Sequence, residues 1–131
     1  MNLRGRQIQS EVEARLASLA ENLRRLSAEF EPTPRRLTCS RALASAMDGA
    51  QRHYRTIPGD FNPRRFVSAI KATRRSLAEA TRWIDLLSRE ETALEGTLSN
   101  LALAAAEAEQ IRALLAASLR TLNSRLAAGD C

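Results

Sequence analysis

The chain has 131 residues, a length that sets the expectation of a single domain. Aromatic residues make up only 4%, and 5 glycines with 4 prolines give too few turn signals for a many-stranded β-sandwich or barrel. The formal net charge is +5, and 1 histidine and 2 cysteines argue against a structural zinc site or a disulfide-stapled fold.

The sequence also predicts where the protein works. No apolar run approaches the roughly 18 residues that span a bilayer. The first ten residues, MNLRGRQIQS, lack the apolar core of a secretory signal. We therefore expect a soluble, cytoplasmic protein.

The first predicted helix covers about residues 6–31. Its apolar residues recur in alternating steps of four and three, a seam typical of a helix that packs lengthwise on another helix. Pro32 ends the helix, because the residue before a proline is disfavoured in the α region. The seam consists of Val12, Leu16, Leu19, Leu23, Leu26 and Phe30.

The second and third predicted helices, about 34–57 and 63–87, open in the same way. Each start has a capping residue, a proline that fits the first helical position, and two arginines. Each helix continues with an apolar stripe, and Thr73 in the third stripe is expected to bond to a carbonyl of its own helix. The two openings are Thr33-Pro34-Arg35-Arg36 and Asn62-Pro63-Arg64-Arg65.

A fourth helix is predicted over about 89–127, with Ser88 and Glu91 as a capping box. At about 1.5 Å per residue it would be much longer than its neighbours, so a break near 96–100 is expected. A continuous helix with a projecting end is the alternative. Either arrangement gives an all-α, up-down bundle of four or five helices with short loops, in one domain over residues 1–131.

The positive charge is concentrated in the middle third of the chain. Residues 32–75 contain nine arginines and Lys71 against two acidic residues, whereas residues 76–131 contain five arginines and eight acidic residues. On the third helix, four basic residues step by 7, 4 and 7 along one outward stripe. The candidate phosphate-binding residues are Arg35, Arg36, Arg41, Arg52, Arg55, Arg64, Arg65, Lys71, Arg74, Arg75 and Arg82.

The arginine pairs at the two helix starts are unusual, because the helix dipole disfavours cations there. Such pairs indicate that an anion binds at those ends, with exposed amides and guanidinium groups forming a phosphate site. Arginines of the second and third helices would fill the distance between the two ends. A long basic track of this kind favours an extended polyanion over a small phosphate ligand.

The arginines are also consistent with roles that need no ligand. Nineteen of the 20 basic residues are arginine, a bias that a GC-rich genome produces without functional demand. An arginine stripe opposite a core face is commonly a solvated surface. The acidic last helix could also neutralise the basic helices, within one chain or between copies.

No residue pattern predicts an enzyme, a cofactor or a metal site. His53 has no second histidine or E-x-x-H partner, and Glu90-Glu91 are better explained by helix capping. Cys39 falls on the apolar stripe of the second helix, and Cys131 does not fit a prenylation box. Phosphate-binding glycine motifs are missing from the sequence, so no small-molecule substrate is expected.

Two functions are consistent with this sequence. The first is a non-enzymatic subunit of a nucleoprotein assembly that contacts a nucleic-acid backbone without sequence preference. The second is a protein–protein adaptor or homo-oligomer that uses the first and last helices, with Leu101 or Leu115 in the interface. Binding to a membrane surface is disfavoured, because the apolar faces are committed to the core.

In size, helix content and charge, the chain resembles the small helical subunits of multi-subunit RNA-guided effector complexes. It also resembles the basic four-helix-bundle accessory proteins that work beside reverse transcriptases. The resemblance is one of format alone and carries no site residue over.

Overall fold

The computed structural model describes residues 3–30, 33–55, 62–89 and 95–127. These residues form four α-helices and no strand. The all-α bundle predicted from the sequence is therefore confirmed. The helices are α1 (Leu3–Ala28), α2 (Pro34–Arg55), α3 (Pro63–Ser88) and α4 (Glu95–Ala127).

The helices form a closed ring in which each contacts two neighbours. The contacting pairs are α1–α2, α2–α3, α3–α4 and α4–α1, and the described parts of diagonal helices do not meet. Arg15 in the middle of α1 donates to Glu107 of α4, whereas Glu29, just past the end of α1, accepts from Thr97 near the start of α4. This register makes α1 and α4 antiparallel, as expected of an up-down bundle.

The core is built from the seams that the sequence predicts. All six residues of the seam predicted for the first helix are buried, with exposures between 1% and 9%. In α3, Thr73 is fully buried, and its hydroxyl donates to the carbonyl of Ala69 at 2.8 Å. The polar group in the third seam is thus satisfied within its own helix, as predicted.

The starts of α2 and α3 confirm the predicted caps. The hydroxyl of Thr33 accepts the amide N–H of Arg36 at 3.3 Å. The side-chain oxygen of Asn62 accepts the amides of Arg64 and Arg65 at 3.1 and 3.3 Å. Each cap precedes a proline at the first helical position, whose missing N–H costs nothing there.

The break predicted near 96–100 does not occur, because α4 runs without interruption from Glu95 to Ala127. Gly96 lies in the first turn, where glycine is less costly than in a helix interior, and Thr97 is anchored there by Glu29 at 3.0 Å. The 33 residues of α4 span about 50 Å against about 39 Å for α3. Because Leu119 is still buried, at 7% exposure, the helix packs on the bundle over most of this length.

The predicted capping box joins Ser88 to Glu91. Ser88 is the last residue of α3, and its hydroxyl donates to the carbonyl of Ile84 in the same helix at 2.8 Å. Glu90 and Glu91 lie outside the described residues, as do the predicted end of the second helix at 57 and Cys131.

Candidate nucleic-acid interface

The basic stripe predicted on the third helix forms a row on the outer side of α3. Its four members are exposed, whereas the residues that alternate with them, such as Ile70 and Leu77, are in the core. At about 1.5 Å per residue, the row is about 27 Å long. We call Arg64, Lys71, Arg75 and Arg82 the α3 ridge.

The α3 ridge is not neutralised by neighbouring carboxylates. Within the described part of the chain, none of its four cations forms an ion pair. Arg89, two turns beyond the ridge, shows the contrast, because its guanidinium lies 2.8 Å from the carboxylate of Asp85. The ridge is therefore a row of positive charge that remains open to an external anion.

The candidate arginines of α2 do not continue this row. Arg41 lines a cleft of about 330 Å³ and Arg55 lines one of about 350 Å³, and both clefts lie between α1 and α2. Arg52 is exposed but lies 3.7 Å from the carboxylate of Asp48. The structure therefore leaves Arg41 and Arg55 on the side of α2 that faces α1, away from α3.

Among the arginines at the helix starts, Arg36 is unavailable to a ligand, with an exposure of 6%. It follows Pro34 by two residues, and this position turns its side chain toward the core of the bundle. Arg35, Arg64 and Arg65 are exposed. Arg36 is therefore removed from the set of phosphate contacts.

Three of the amides at the two helix starts are already occupied. The N–H groups of Arg36, Arg64 and Arg65 are already bound by Thr33 and Asn62. A phosphate at either end would have to displace a cap that stabilises the helix by about 1 kcal/mol. These bonds give no support to an anion site built on backbone amides. Phosphate contacts at this surface therefore depend on the arginine side chains.

Arg74 extends the positive surface toward α4. It lies two turns before Thr81, whose hydroxyl is 3.5 Å from Glu109 of α4, so both residues are on the α4 side of α3. Its Nε atom is buried without a hydrogen-bond partner in the described structure, and the same holds for Nε of Arg112. Arg112 pairs with Glu109 at 2.9 Å.

The sequence gives no indication of Arg112, because this residue lies in a segment with a net negative charge. Arg112 can be found only from the three-dimensional packing of α3 on α4, which brings it into register with Thr81. Arg74 adds positive charge to the flank of the α3 ridge, whereas the charge of Arg112 is offset by Glu109.

The remaining candidates form no site. Cys39 is a buried free thiol, and His53 is half-buried. In the described ranges, no group of three or more histidine, cysteine or acidic side chains is placed to hold a metal ion. No described helix combines the length and the apolar character needed to cross a membrane.

Comparison with protein families, with curated proteins and with solved structures finds no match to this chain. Its function has to be inferred from its own residues.

Proposed function

We propose that the chain binds the phosphate backbone of nucleic acid through the α3 ridge, as a non-enzymatic accessory subunit of a nucleoprotein assembly. The observation that carries this proposal is the row of four exposed cations along about 27 Å of one helix, none paired with a carboxylate in the described structure. Each cation that binds a phosphate releases a condensed counterion, which favours binding at low salt.

The spacing of the ridge favours a polyanion over a small phosphate ligand. Successive charges of the ridge are separated along the helix by about 10, 6 and 10 Å. One small phosphate cannot contact cations spread over that length, whereas a nucleic-acid strand presents phosphates at regular intervals. Arg65 and Arg74, which flank the ridge, add charge on its two sides.

The same face lacks a platform for reading bases. Trp83 is half-buried, and its indole N–H donates to Glu79 at 3.1 Å. Tyr54, the other amphipathic ring, is 4% exposed. Because no exposed aromatic side chain accompanies the ridge in the described ranges, base stacking contributes little, and we expect binding that is largely independent of sequence.

Fluorescence-anisotropy titration tests this proposal, with labelled single-stranded and duplex DNA and RNA over a series of salt concentrations. If all four ridge cations contact phosphates, the plot of log K against log salt has a slope of about −3.6 for duplex DNA and about −2.8 for single strands. The absence of binding even at low salt would reject the proposal.

A matched pair of variants distinguishes the effect of the ridge on binding from the effect of the net charge. The ridge variant replaces Arg64, Lys71, Arg75 and Arg82 with glutamine. The control variant replaces four exposed arginines of α1 and α2, Arg24, Arg25, Arg41 and Arg55, with glutamine and has the same net charge. We expect the ridge variant to lose the salt dependence and the control to keep it, with both retaining the helical circular dichroism of the native chain.

The alternative function, a protein–protein adaptor, is favoured by a different observation. Two large apolar residues of α4, Leu103 and Leu114, are 68% and 41% exposed. Leu101 and Leu115, which the sequence placed in such an interface, are instead in the core with exposures of 0% and 2%. An adaptor surface on α4 therefore has to use its outer face.

A further inference from the structure

The outer face of α4 has a second heptad seam, separate from the seam that packs into the bundle. Seven positions step by four and three residues in strict alternation, which is the spacing of a helix that packs along another helix. All seven are exposed. We call them the outer seam: Ser99, Leu103, Ala106, Gln110, Ala113, Ala117 and Arg120.

The composition of the outer seam is unlike that of a solvated helix face. Arg120 is its only charged member, at its last position. Leu103, within the seam, and Leu114, beside it, are two of the three large hydrophobic residues found exposed in the described structure. On α3, the corresponding outer positions are mainly basic.

We propose that the outer seam binds a second copy of this chain, with the two α4 helices antiparallel and a two-fold axis at Gln110. In this register Leu103 packs opposite the partner's Ala117, and Leu114 packs opposite the partner's Ala106. Each large side chain thus meets a small one, so the seam is complementary to itself. Alternating large and small residues is what allows two helices to interdigitate.

Gln110 suits the position on the axis. Its side-chain oxygen accepts a hydrogen bond from Arg15 at 3.1 Å, and Arg15 is held in place by Glu107 at 2.7 Å. The amide nitrogen of Gln110 remains available to donate across the axis to the partner's Gln110. A single polar residue in an apolar seam commonly fixes the register of paired helices.

Charge selects the antiparallel direction. Parallel pairing would place Arg120 beside the partner's Arg120, and like charges in contact destabilise an interface. Antiparallel pairing places Arg120 near the partner's Asn100 instead. The α3 ridge does not oppose the contact, because it lies on the outer side of a different helix.

The size of the outer seam predicts a weak dimer. It spans about 32 Å on one helix face, and Leu103 is its only large apolar side chain, so pairing buries little apolar surface. We therefore expect a reversible equilibrium that depends on protein concentration.

The dimer would place the two ridges on the same flank of the assembly. α1 and α3 contact opposite flanks of α4, because Glu107 bonds to Arg15 of α1 and Glu109, two residues on, lies beside Thr81 of α3. A two-fold axis perpendicular to α4 keeps both α3 helices on one flank of the dimer and both α1 helices on the other. The two α3 ridges then face the same side and can contact one long polyanion; this last step rests on the proposed function.

Sedimentation velocity over a range of protein concentrations tests the dimer. Ala106→Glu and Leu103→Glu each place a charge in the seam, and we expect either one to raise the dimer dissociation constant at least tenfold. Ser45→Glu is the matched control, since it adds the same charge at an exposed position of α2, which does not contact α4 in the described structure. A native chain that stays monomeric at all concentrations overturns the proposal. A dimer that survives both seam variants overturns it as well.

Cross-linking tests the register. In a Cys39→Ser and Cys131→Ser background, chains with Leu103→Cys are mixed with chains that have Ala117→Cys, and a short bis-maleimide is added. Antiparallel pairing predicts products between position 103 and position 117, whereas parallel pairing predicts 103–103 and 117–117 products. Predominance of the second kind rejects the proposed register.

The proposal of nucleic-acid binding and the proposal of a dimer can be rejected independently of each other. The ridge variant should lose nucleic-acid binding and keep the dimer. The Ala106→Glu variant should keep the salt-dependent binding of a short probe, which occupies one ridge, and bind a long duplex more weakly than the native chain does. An unaltered affinity for the long duplex would show that the ridges act singly, and it would overturn the paired-ridge step alone.

Discussion

Gly49 of α2 and Ser76 of α3 lie where the two helices approach closely: a β-carbon placed on Gly49 would be 3.2 Å from the hydroxyl oxygen of Ser76 and 3.9 Å from its β-carbon. The lack of a side chain at Gly49 therefore makes room for the hydroxyl group of Ser76, and a larger group would not fit between the two helices. Because α3 presents the α3 ridge on its outer side, this contact is part of what holds the ridge against the bundle.

The contact between Gly49 and Ser76 predicts how the free energy of unfolding changes when a methyl group is added at position 49. Alanine is a better helix former than glycine by about 1 kcal/mol, but the hydroxyl of Ser76 crowds the added carbon. We expect Gly49→Ala to stabilise the bundle more in a Ser76→Ala background than in the native chain. A double-mutant cycle measured by chemical denaturation gives the coupling, and a coupling of zero would contradict the crowding.

The core predicts a large and local loss of stability. Leu77 is fully buried at the centre of α3, so Leu77→Ala removes a packed side chain and leaves a cavity, at a cost of about 2–5 kcal/mol. Leu37→Ala, at a residue that is 40% exposed, should cost much less. Urea denaturation measures both, and equal losses would mean that Leu77 is not tightly packed.

The ion pair between Arg15 and Glu107 predicts a modest effect. The two atoms are 2.7 Å apart, but the side chains are 25% and 34% exposed, so solvent screens the attraction. The hydrogen bond to Glu107 raises the pKa of Arg15, which keeps the guanidinium charged at every accessible pH. A double-mutant cycle with Arg15→Ala and Glu107→Ala should give a coupling of about 1 kcal/mol or less that shrinks with added salt. A larger coupling that does not respond to salt would contradict the screening.

Most of the fold could be predicted from the sequence, because the spacing of apolar residues dictates which helix faces are buried. The seam of α1 and the caps at Thr33 and Asn62 are found where predicted. The spacing of α4 leaves a break near 96–100 and a continuous helix both open, and the bond from Thr97 to Glu29 at its first turn joins residues too far apart in the chain to be read from the sequence.

The candidate site was less predictable than the fold, because it depends on contacts between residues far apart in the chain. Periodicity identifies the outer stripe of α3, which depends on one helix alone. It does not show that Arg36 is buried or that Arg41 borders α1, because both facts depend on neighbouring helices. The outer seam of α4 was hidden by the inner one, since alanine fits a buried and an exposed position equally well in a sequence.

Tyr54 predicts the response of the bundle to alkaline pH. Its side chain is buried, and burial raises the pKa of the hydroxyl, with a further contribution from the negative charge of Glu13. The unfolded chain has the ordinary tyrosine value of about 10. A raised pKa in the folded state means that the stability contributed by the neutral hydroxyl is complete below about pH 10 and is lost as the pH rises further.

Tyr54 is the only tyrosine of the chain, so tyrosinate absorbance reports this residue alone. We expect native protein to form tyrosinate only as the helical circular dichroism disappears, and denatured protein to form it near pH 10. Tyr54→Phe should flatten the decline of Tm above that pH, because phenylalanine has no proton to lose. Tyrosinate that forms near pH 10 while the helices remain intact would show that the hydroxyl reaches solvent and that Tyr54 is not part of the buried seam of α2.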